Sequence, residues 1–250
     1  MRAPDAAFAD KRLAVLYDDV EGDRTDLDAY VAIADELAVA SFVDIGCGTG
    51  SLAIRLARRG RTVVGVDPAF ASLEVARAKW GADRVIWVHG DATALAGRGL
   101  SLEMAVMTGN VAQVFVSDED WQSTLAAVHG HLRPGGWFVF ETRRPEVRDW
   151  ERWDVAPAQV TLPHGGTIVV SRTVTNVALP LVTFRSTTTV GSEVIDSTST
   201  LRFREQREVE HDLRDHGFEV VDLREAARGR SWSSSPAGST TEASEAPRRK

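Results

Sequence analysis

The chain has 250 residues, 43% of them hydrophobic and 26% charged, so it can bury a substantial core and is neither a disulfide miniprotein nor a wholly disordered chain. Its 29 basic and 36 acidic residues give a formal net charge of −7, which argues against a nucleic-acid partner. The single cysteine, Cys47, and the lack of a signal-peptide pattern or a long apolar run predict a cytoplasmic protein with no membrane partner.

The first part of the chain alternates between helical and strand patterns. Apolar residues recur every three or four positions from Leu27 to Ala38, which predicts a helix. The predicted strands that follow are Ser41–Ile45, Thr62–Val66, Val85–Val88, Glu103–Met107 and Trp137–Glu141, and the helices between them are Ser51–Arg59, Ala69–Trp80 and Asp118–Leu132. Nearly all-apolar strands in this order predict an α/β fold, a Rossmann-like doubly wound and mostly parallel sheet.

The pattern changes after about residue 145. Threonine and valine alternate with polar residues between Thr167 and Phe203, which predicts an antiparallel β insertion over about 150–203. Because this layer begins just after a strand ends, and ligands bind at that end of such sheets, we expect it to lie over the part of a ligand site where a substrate would bind. Helix Glu205–His216 and strand Phe218–Leu223 then return to the α/β core, over about 204–225.

The last 22 residues, 229–250, contain no Val, Ile, Leu or Phe. Such a segment buries too little surface to offset its ordering entropy, so we expect a disordered tail that forms no strand. The sheet edge beside Trp137–Glu141 is then expected to be incomplete.

A glycine-rich segment, Gly46-Cys47-Gly48-Thr49-Gly50, lies between the first strand and the next helix, where doubly wound sheets bind nucleotides. Its glycines let the backbone approach a ligand closely. Asp44 would repel a pyrophosphate there, whereas it favours a ligand that carries an ammonium and a sulfonium group. Ser51 stands where a dinucleotide fingerprint has glycine or alanine, which also disfavours a dinucleotide.

Two further acids follow strands. Asp67 ends the second strand, where a carboxylate can accept hydrogen bonds from both ribose hydroxyls. Asp91 follows the third strand, where it can accept from an adenine amine. Three acids therefore line one predicted cleft.

These motifs resemble those of class I S-adenosylmethionine-dependent methyltransferases, in order and spacing, at residues 43–50, 64–68, 90–92 and 132–136. Residues 16–18 and the Met-Thr-Gly-Asn-Val-Ala-Gln-Val-Phe segment at 107–115 resemble a group of small bacterial members. The resemblance implies a methyltransferase domain over 1–228, with its cofactor-binding core at about 41–145, and S-adenosylmethionine as cofactor. The cofactor-binding residues that it implies are Tyr17, Asp44, Gly46, Cys47, Gly48, Gly50, Asp67, Pro68, Asp91, Ala92, Thr108 and Asn110.

The predicted activity is methyl transfer to a small-molecule acceptor, by a monomer or homodimer. The alternatives are a non-catalytic cofactor-binding relative and an NAD-dependent oxidoreductase. No residue is assigned as catalytic, and no metal is expected because the histidines are scattered along the chain.

Some roles stay open at this stage. Tyr17 either closes over the cofactor or packs a helix on the sheet, and Cys47 is a small buried residue or a nucleophile. Trp150, Trp153 and the pair Arg143 and Arg144 form either an aromatic lid with an arginine clamp or a solvated connection.

Overall fold

The computed structural model describes residues 3–226 and 241–245. Eight α-helices occur in this part of the chain: α1 Ala6–Ala9, α2 Lys11–Ala14, α3 Tyr17–Glu21, α4 Leu27–Glu36, α5 Ser51–Ala57, α6 Phe70–Ala78, α7 Asp118–His131 and α8 Gln206–Asp215. The strands are β1 Ser41–Ile45, β2 Thr62–Asp67, β3 Val85–His89, β4 Leu102–Met107, β5 Leu132–Arg143, β6 Val155–Thr161, β7 Thr167–Ala178, β8 Leu181–Val190, β9 Glu193–Arg202, β10 Asp222–Ala226 and β11 Thr241–Glu245.

The larger sheet has the order β10-β11-β5-β4-β1-β2-β3, and its strands β1 to β5 are parallel. The chain order reverses between β1 and β4, and ligands bind at the carboxyl ends of the strands at such a reversal. The predicted Rossmann-like α/β fold is therefore confirmed. Alternation along β1 explains how the sheet is covered, because Phe42 packs into the core on one face and Val43 into the core on the other.

The predicted antiparallel β insertion is also confirmed. Strands β6 to β9 form a separate sheet in which each strand pairs antiparallel with the next. Its first strand, β6, begins earlier than the threonine-rich pattern at Thr167. Trp150 and Phe203 flank the insertion in sequence and pack edge to face, with ring centroids 4.7 Å apart. The two ends of the insertion therefore meet.

The position of the strand after α8 corrects the sequence analysis. The prediction was Phe218–Leu223, whereas β10 begins at Asp222 and ends at Ala226. Phe218 and Val220 pack against the main core from irregular backbone. These two residues are apolar because they are buried against the core, and not because they pair in a strand. The predicted strand therefore began too early.

A strand within the tail is a second correction. Residues 241–245 form β11, which pairs antiparallel with β10 on one side and with β5 on the other. The expectations of no strand in 229–250 and of an incomplete sheet edge are therefore wrong at 241–245. Pairing there uses the backbone N–H and C=O groups of both neighbours, which apolar composition does not report. The rest of the predicted disordered tail lies outside the described residues.

Within the described residues, no helix is both long and apolar enough to cross a bilayer.

Candidate cofactor site

A cleft of about 180 Å³ opens at the carboxyl ends of the parallel strands. It brings together ten of the twelve residues predicted to bind the cofactor: Tyr17, Asp44, Gly46, Cys47, Gly48, Asp67, Pro68, Asp91, Ala92 and Thr108. The ends of β1 and β2 carry Asp44 and Asp67, and the chain after β3 carries Asp91. Parallel strands place their carboxyl ends at one sheet edge, which is why residues so far apart in sequence meet.

The glycine loop between β1 and α5 needs glycine for two reasons. Gly46, Gly48 and Gly50 all have positive φ, at 71°, 53° and 78°, a region that other residues rarely adopt. At Gly50 a Cβ atom would clash with the ring of Trp87, which packs behind the loop, and Gly50 itself does not line the cleft. The predicted role of Gly50 in cofactor binding stays a prediction.

Asp44 is the most buried acid of the cleft, with 1% of its surface exposed. Among the described residues its Oδ1 atom has no hydrogen-bond partner. Burial, and then repulsion from Asp67, raises the pKa of this carboxyl to about 7. A buried carboxylate oxygen without a donor is costly, so the site favours a ligand that brings a donor or a positive charge.

Asp67 holds the glycine loop against the end of β2. Its Oδ2 accepts from the Gly48 N–H at 2.7 Å, and its Oδ1 accepts from the Ala69 N–H at 2.7 Å. Burial raises the pKa of this carboxyl. A carboxylate has about four lone-pair sites, so two backbone bonds leave capacity for the two hydroxyls of a ribose.

Asp91 caps the short turn Ala92–Leu95 that follows β3, where its Oδ1 accepts from the Thr93 N–H at 2.8 Å. The capping bond fixes the carboxylate at the rim of the cleft. Ala92 is fully buried beside it.

The N-terminal helices cover one side of the cleft. Asp18 on α3 accepts from the Thr49 hydroxyl at 2.7 Å and pairs with Lys79 at 2.5 Å, so α3 is bonded to the glycine loop and to the end of α6. Tyr17 is half-buried, lines the cleft and packs on Phe8 with ring centroids 5.8 Å apart. Both interpretations of Tyr17, packing and closing over a ligand, fit this position.

The segment after β4 holds the remaining predicted residues. Thr108 lines the cleft, whereas Asn110 does not. The Asn110 N–H donates to Glu141 Oε1 at 3.2 Å, and the Tyr30 hydroxyl bonds to the same carboxylate. Asn110 Oδ1 is buried and, in the described part of the chain, lacks a hydrogen-bond partner. The role of Asn110 toward a ligand stays a prediction.

Cys47 is buried in the glycine loop, and burial raises the pKa of its thiol well above the usual value. The protonated thiol is a poor nucleophile, which favours the interpretation of Cys47 as a small packing residue. Over residues 3–226 and 241–245, no three His, Cys, Asp or Glu side chains are placed to hold a metal ion.

Arg24 is a charged cleft residue that sequence analysis missed. It lies between α3 and α4, lines the cleft and donates to Asp26 through Nε at 2.8 Å and Nη2 at 2.7 Å. Its side chain is 17% exposed, and its charge counteracts the raised pKa of Asp44. An arginine in a short connection between helices is usually solvated, so the sequence carries no signal for this position.

Comparison with known proteins agrees with this geometry. Residues 42–136, which run from β1 to the start of β5 and contain the glycine loop and all three acids, match the family of methyltransferase domains. Residues 42–136 are a methyltransferase domain. The match agrees with the resemblance to class I S-adenosylmethionine-dependent methyltransferases, and it confirms the methyltransferase part of that resemblance for these residues.

Curated relatives match part of the chain. The chain is 30% identical over 152 residues to a ubiquinone biosynthesis O-methyltransferase of Methylobacterium nodulans, a match that covers 50% of this chain and 57% of that protein. A second protein of that name, from Ruegeria pomeroyi, is 37% identical over 102 residues, 40% of each chain. The matches therefore span about half the length of these relatives or less.

Solved structures share the fold over nearly the whole chain. The CcbJ methyltransferase of Streptomyces caelestis superposes with a TM-score of 0.74 at 20% identity over 96% of both chains. An S-adenosylmethionine-dependent methyltransferase from Clostridium acetobutylicum gives 0.73 at 16% identity over 94% of this chain and 98% of that chain. The insertion outside the methyltransferase domain therefore belongs to a known architecture.

Proposed function

We propose that the protein transfers a methyl group from S-adenosylmethionine to a small-molecule acceptor. The observation that carries the proposal is the convergence of Asp44, Asp67 and Asp91 on one glycine-lined cleft. The match of residues 42–136 to methyltransferase domains supports it. Relatives named as O-methyltransferases support an acceptor of small size.

The cleft has groups that complement each part of the cofactor. Asp44 Oδ1, which has no hydrogen-bond partner in the described part of the chain, is an acceptor for the ammonium of the methionine portion, and the nearby Arg24 is a donor for its carboxylate. In this proposal Asp67 accepts from the ribose hydroxyls, Asp91 with Ala92 binds the adenine, and Thr108 faces the methyl group; all four residues line the cleft.

S-adenosylmethionine supplies an electrophilic methyl group on a positively charged sulfur. Displacement at that carbon needs an acceptor atom about 3 Å away and in line, so holding the two reactants in place supplies much of the rate. The protein's contribution is then to bind, orient and cover the reactants. The proposed methyl transfer therefore does not require a side chain that acts as a general acid or base.

The first prediction concerns Asp67. We expect isothermal titration calorimetry to show binding of S-adenosylhomocysteine to the wild-type protein, and Asp67→Ala to weaken it at least about tenfold, because hydrogen bonds to a charged group contribute roughly 1.5–3 kcal/mol. The matched control is Asp83→Ala, since Asp83 is an exposed acid before β3 and outside the cleft.

Two results would contradict this prediction. Equal affinity of Asp67→Ala and wild type would remove the ribose assignment. Tighter binding of NAD than of S-adenosylhomocysteine would favour the oxidoreductase alternative. Formation of S-adenosylhomocysteine from S-adenosylmethionine, followed by mass spectrometry over a panel of acceptors, tests turnover and separates an enzyme from a binding protein.

A further inference from the structure

The turn that follows β4 has an uncommon backbone. Gly109 and Asn110 are consecutive residues with positive φ, at 65° and 62°. Residues other than glycine rarely adopt this region, although asparagine tolerates it better than most. The buried Oδ1 of Asn110 also lacks a hydrogen-bond partner among the described residues. Other parts of the protein must therefore hold this turn in its conformation.

The same turn forms part of the wall of the cleft. Thr108 and Gly109 line the cleft, and so does Val111 on the other side of Asn110. The side chain of Val111 packs so closely on Gly46 that a Cβ atom there would clash with it. The turn thus lies against the glycine loop, and a shift of the turn would change the shape of the cleft.

Glu141 on β5 binds the backbone of this turn. Its Oε1 accepts from the Asn110 N–H at 3.2 Å, and the Gly109 N–H donates to the same carboxylate. Burial raises the pKa of this carboxyl, and the two N–H groups counteract the rise because they stabilise the charged form. The pairing of β4 with β5 ends at Met107 and Phe140, one residue before Glu141. The Glu141 side chain therefore supplies an acceptor where β4 leaves the sheet.

Helix α4 holds the Glu141 carboxylate in turn. The Tyr30 hydroxyl donates to it, and Tyr30 is buried in the same core cluster as Val139. Val139 and Glu141 are two residues apart on β5, so they lie on the same face of the sheet. A carboxylate has about four lone-pair positions, and these donors occupy most of them. Glu141 is therefore suited to holding the turn and not to accepting a proton from a substrate.

We propose that Glu141 is a positioning residue for methyl transfer, which holds the turn at residues 108–111 against the glycine loop and so fixes the space around the methyl group. The proposal rests on the proposed function, in which Thr108 faces the methyl group. Within the part of the chain that the structure describes, Glu141 does not line the cleft, so its effect passes through the turn. A displacement of about 1 Å is enough to disturb the alignment that an in-line reaction needs.

The test compares two cofactors whose transferable groups differ by one methylene group, S-adenosylmethionine and S-adenosylethionine. Isothermal titration calorimetry on the full chain measures the affinity for each. We expect the wild type to bind S-adenosylmethionine at least about tenfold more tightly, because a closely fitting wall rejects one extra methylene group by about that factor. Glu141→Gln keeps the shape of the side chain but loses its charge and turns one acceptor into a donor. This discrimination should therefore fall to about threefold or less.

The matched control is Glu103→Gln. Glu103 lies near the opposite end of β4, outside the cleft, where its carboxylate accepts from the consecutive N–H groups of Ala40 and Ser41. Both variants thus lose a carboxylate that binds two neighbouring backbone groups, and both should be less stable in thermal denaturation. Only Glu141→Gln should lose the discrimination, because a merely structural role lowers stability without changing the ratio of the two affinities.

Three results would overturn the proposal: equal binding of both cofactors by the wild type, an unchanged ratio in Glu141→Gln, or an equal loss of the ratio in Glu103→Gln. Failure of the proposed function has a different signature, since the wild type would then bind neither cofactor. If Glu141→Gln does not fold, Tyr30→Phe replaces it, because this variant removes one donor and keeps the carboxylate. The discrimination should then fall by about twofold or more, and an unchanged ratio would again overturn the proposal.

Discussion

Asp44 shows how the burial of a single side chain favours a ligand with a particular charge. Its carboxyl is almost fully enclosed, close to a second acid, and one oxygen lacks a donor within the described residues. Each of these features disfavours the charged form. An ammonium group reverses that preference, because it provides both the donor and the opposite charge.

The second prediction follows from the pKa of Asp44, which burial raises to about 7. The free protein holds a proton on Asp44 below that pH, and an ammonium ligand binds the deprotonated carboxylate more tightly. Affinity for S-adenosylhomocysteine should therefore rise about tenfold between pH 6 and pH 8, with proton release on binding.

Calorimetry in buffers of different ionisation enthalpy measures both the affinity and the protons released. Asp44→Asn should bind more weakly and lose most of this pH dependence. An Asp44→Asn variant with the full pH dependence would assign it to another group, such as Asp67.

At the scale of elements, the glycine loop is confined from two sides. Trp87 on β3 packs behind Gly50, and Val111 after β4 packs against Gly46. Gly48 has no atom within 4 Å of the position of a Cβ. All three glycines of the loop thus adopt positive φ, whereas a side chain would clash at Gly46 and Gly50 but would have space at Gly48.

The third prediction compares two substitutions in this loop. Gly48→Ala and Gly50→Ala both place alanine at positive φ, at a cost of about 1–2 kcal/mol each. Gly50→Ala also forces its methyl group into Trp87, which adds about 1–3 kcal/mol. The free energy of unfolding from urea denaturation should therefore fall more in Gly50→Ala. Equal losses in the two variants would contradict the packing of Trp87 behind Gly50.

At the scale of the whole molecule, a buried arginine joins the two sheets. Arg204 follows β9, is 3% exposed and donates to the carbonyl oxygens of Ala112 at 3.4 Å and of Phe115 at 2.8 Å. Its guanidinium carbon lies 4.8 Å from the ring centroid of Trp121 on α7. The segment after β4 borders the cleft, so Arg204 connects the insertion to the wall of the cleft.

The fourth prediction is that Arg204→Met lowers the free energy of unfolding by about 2–4 kcal/mol, because two charge-assisted bonds are lost and two buried carbonyl groups lose a donor. Arg207→Met is the matched control, since Arg207 is exposed at the start of α8. Thermal and urea denaturation measure both variants. Similar stabilities of the two variants would mean that packing, and not Arg204, holds the sheets together.

Local patterns in the sequence determined the parallel core and the edge of the sheet at which its acids meet. Apolar strands that alternate with amphipathic helices specify β1 to β5, and parallel strands must place Asp44, Asp67 and Asp91 at one edge. These inferences need only the repeat of each element and the topology that follows from it. The same holds for the insertion, whose alternating threonines and valines specify antiparallel strands with two unlike faces.

Contacts between distant parts of the chain were decided by the tertiary structure alone. Arg24 lines the same cleft as Asp44 because the connection between two helices packs beside the end of a strand, and no periodicity in the sequence encodes that arrangement. Strand β11 pairs through backbone N–H and C=O groups, and every residue except proline carries both. The amino-acid composition of this segment therefore gave no signal for a strand. Sequence patterns report which residues are buried together locally, whereas only packing determines which charges come to share a site.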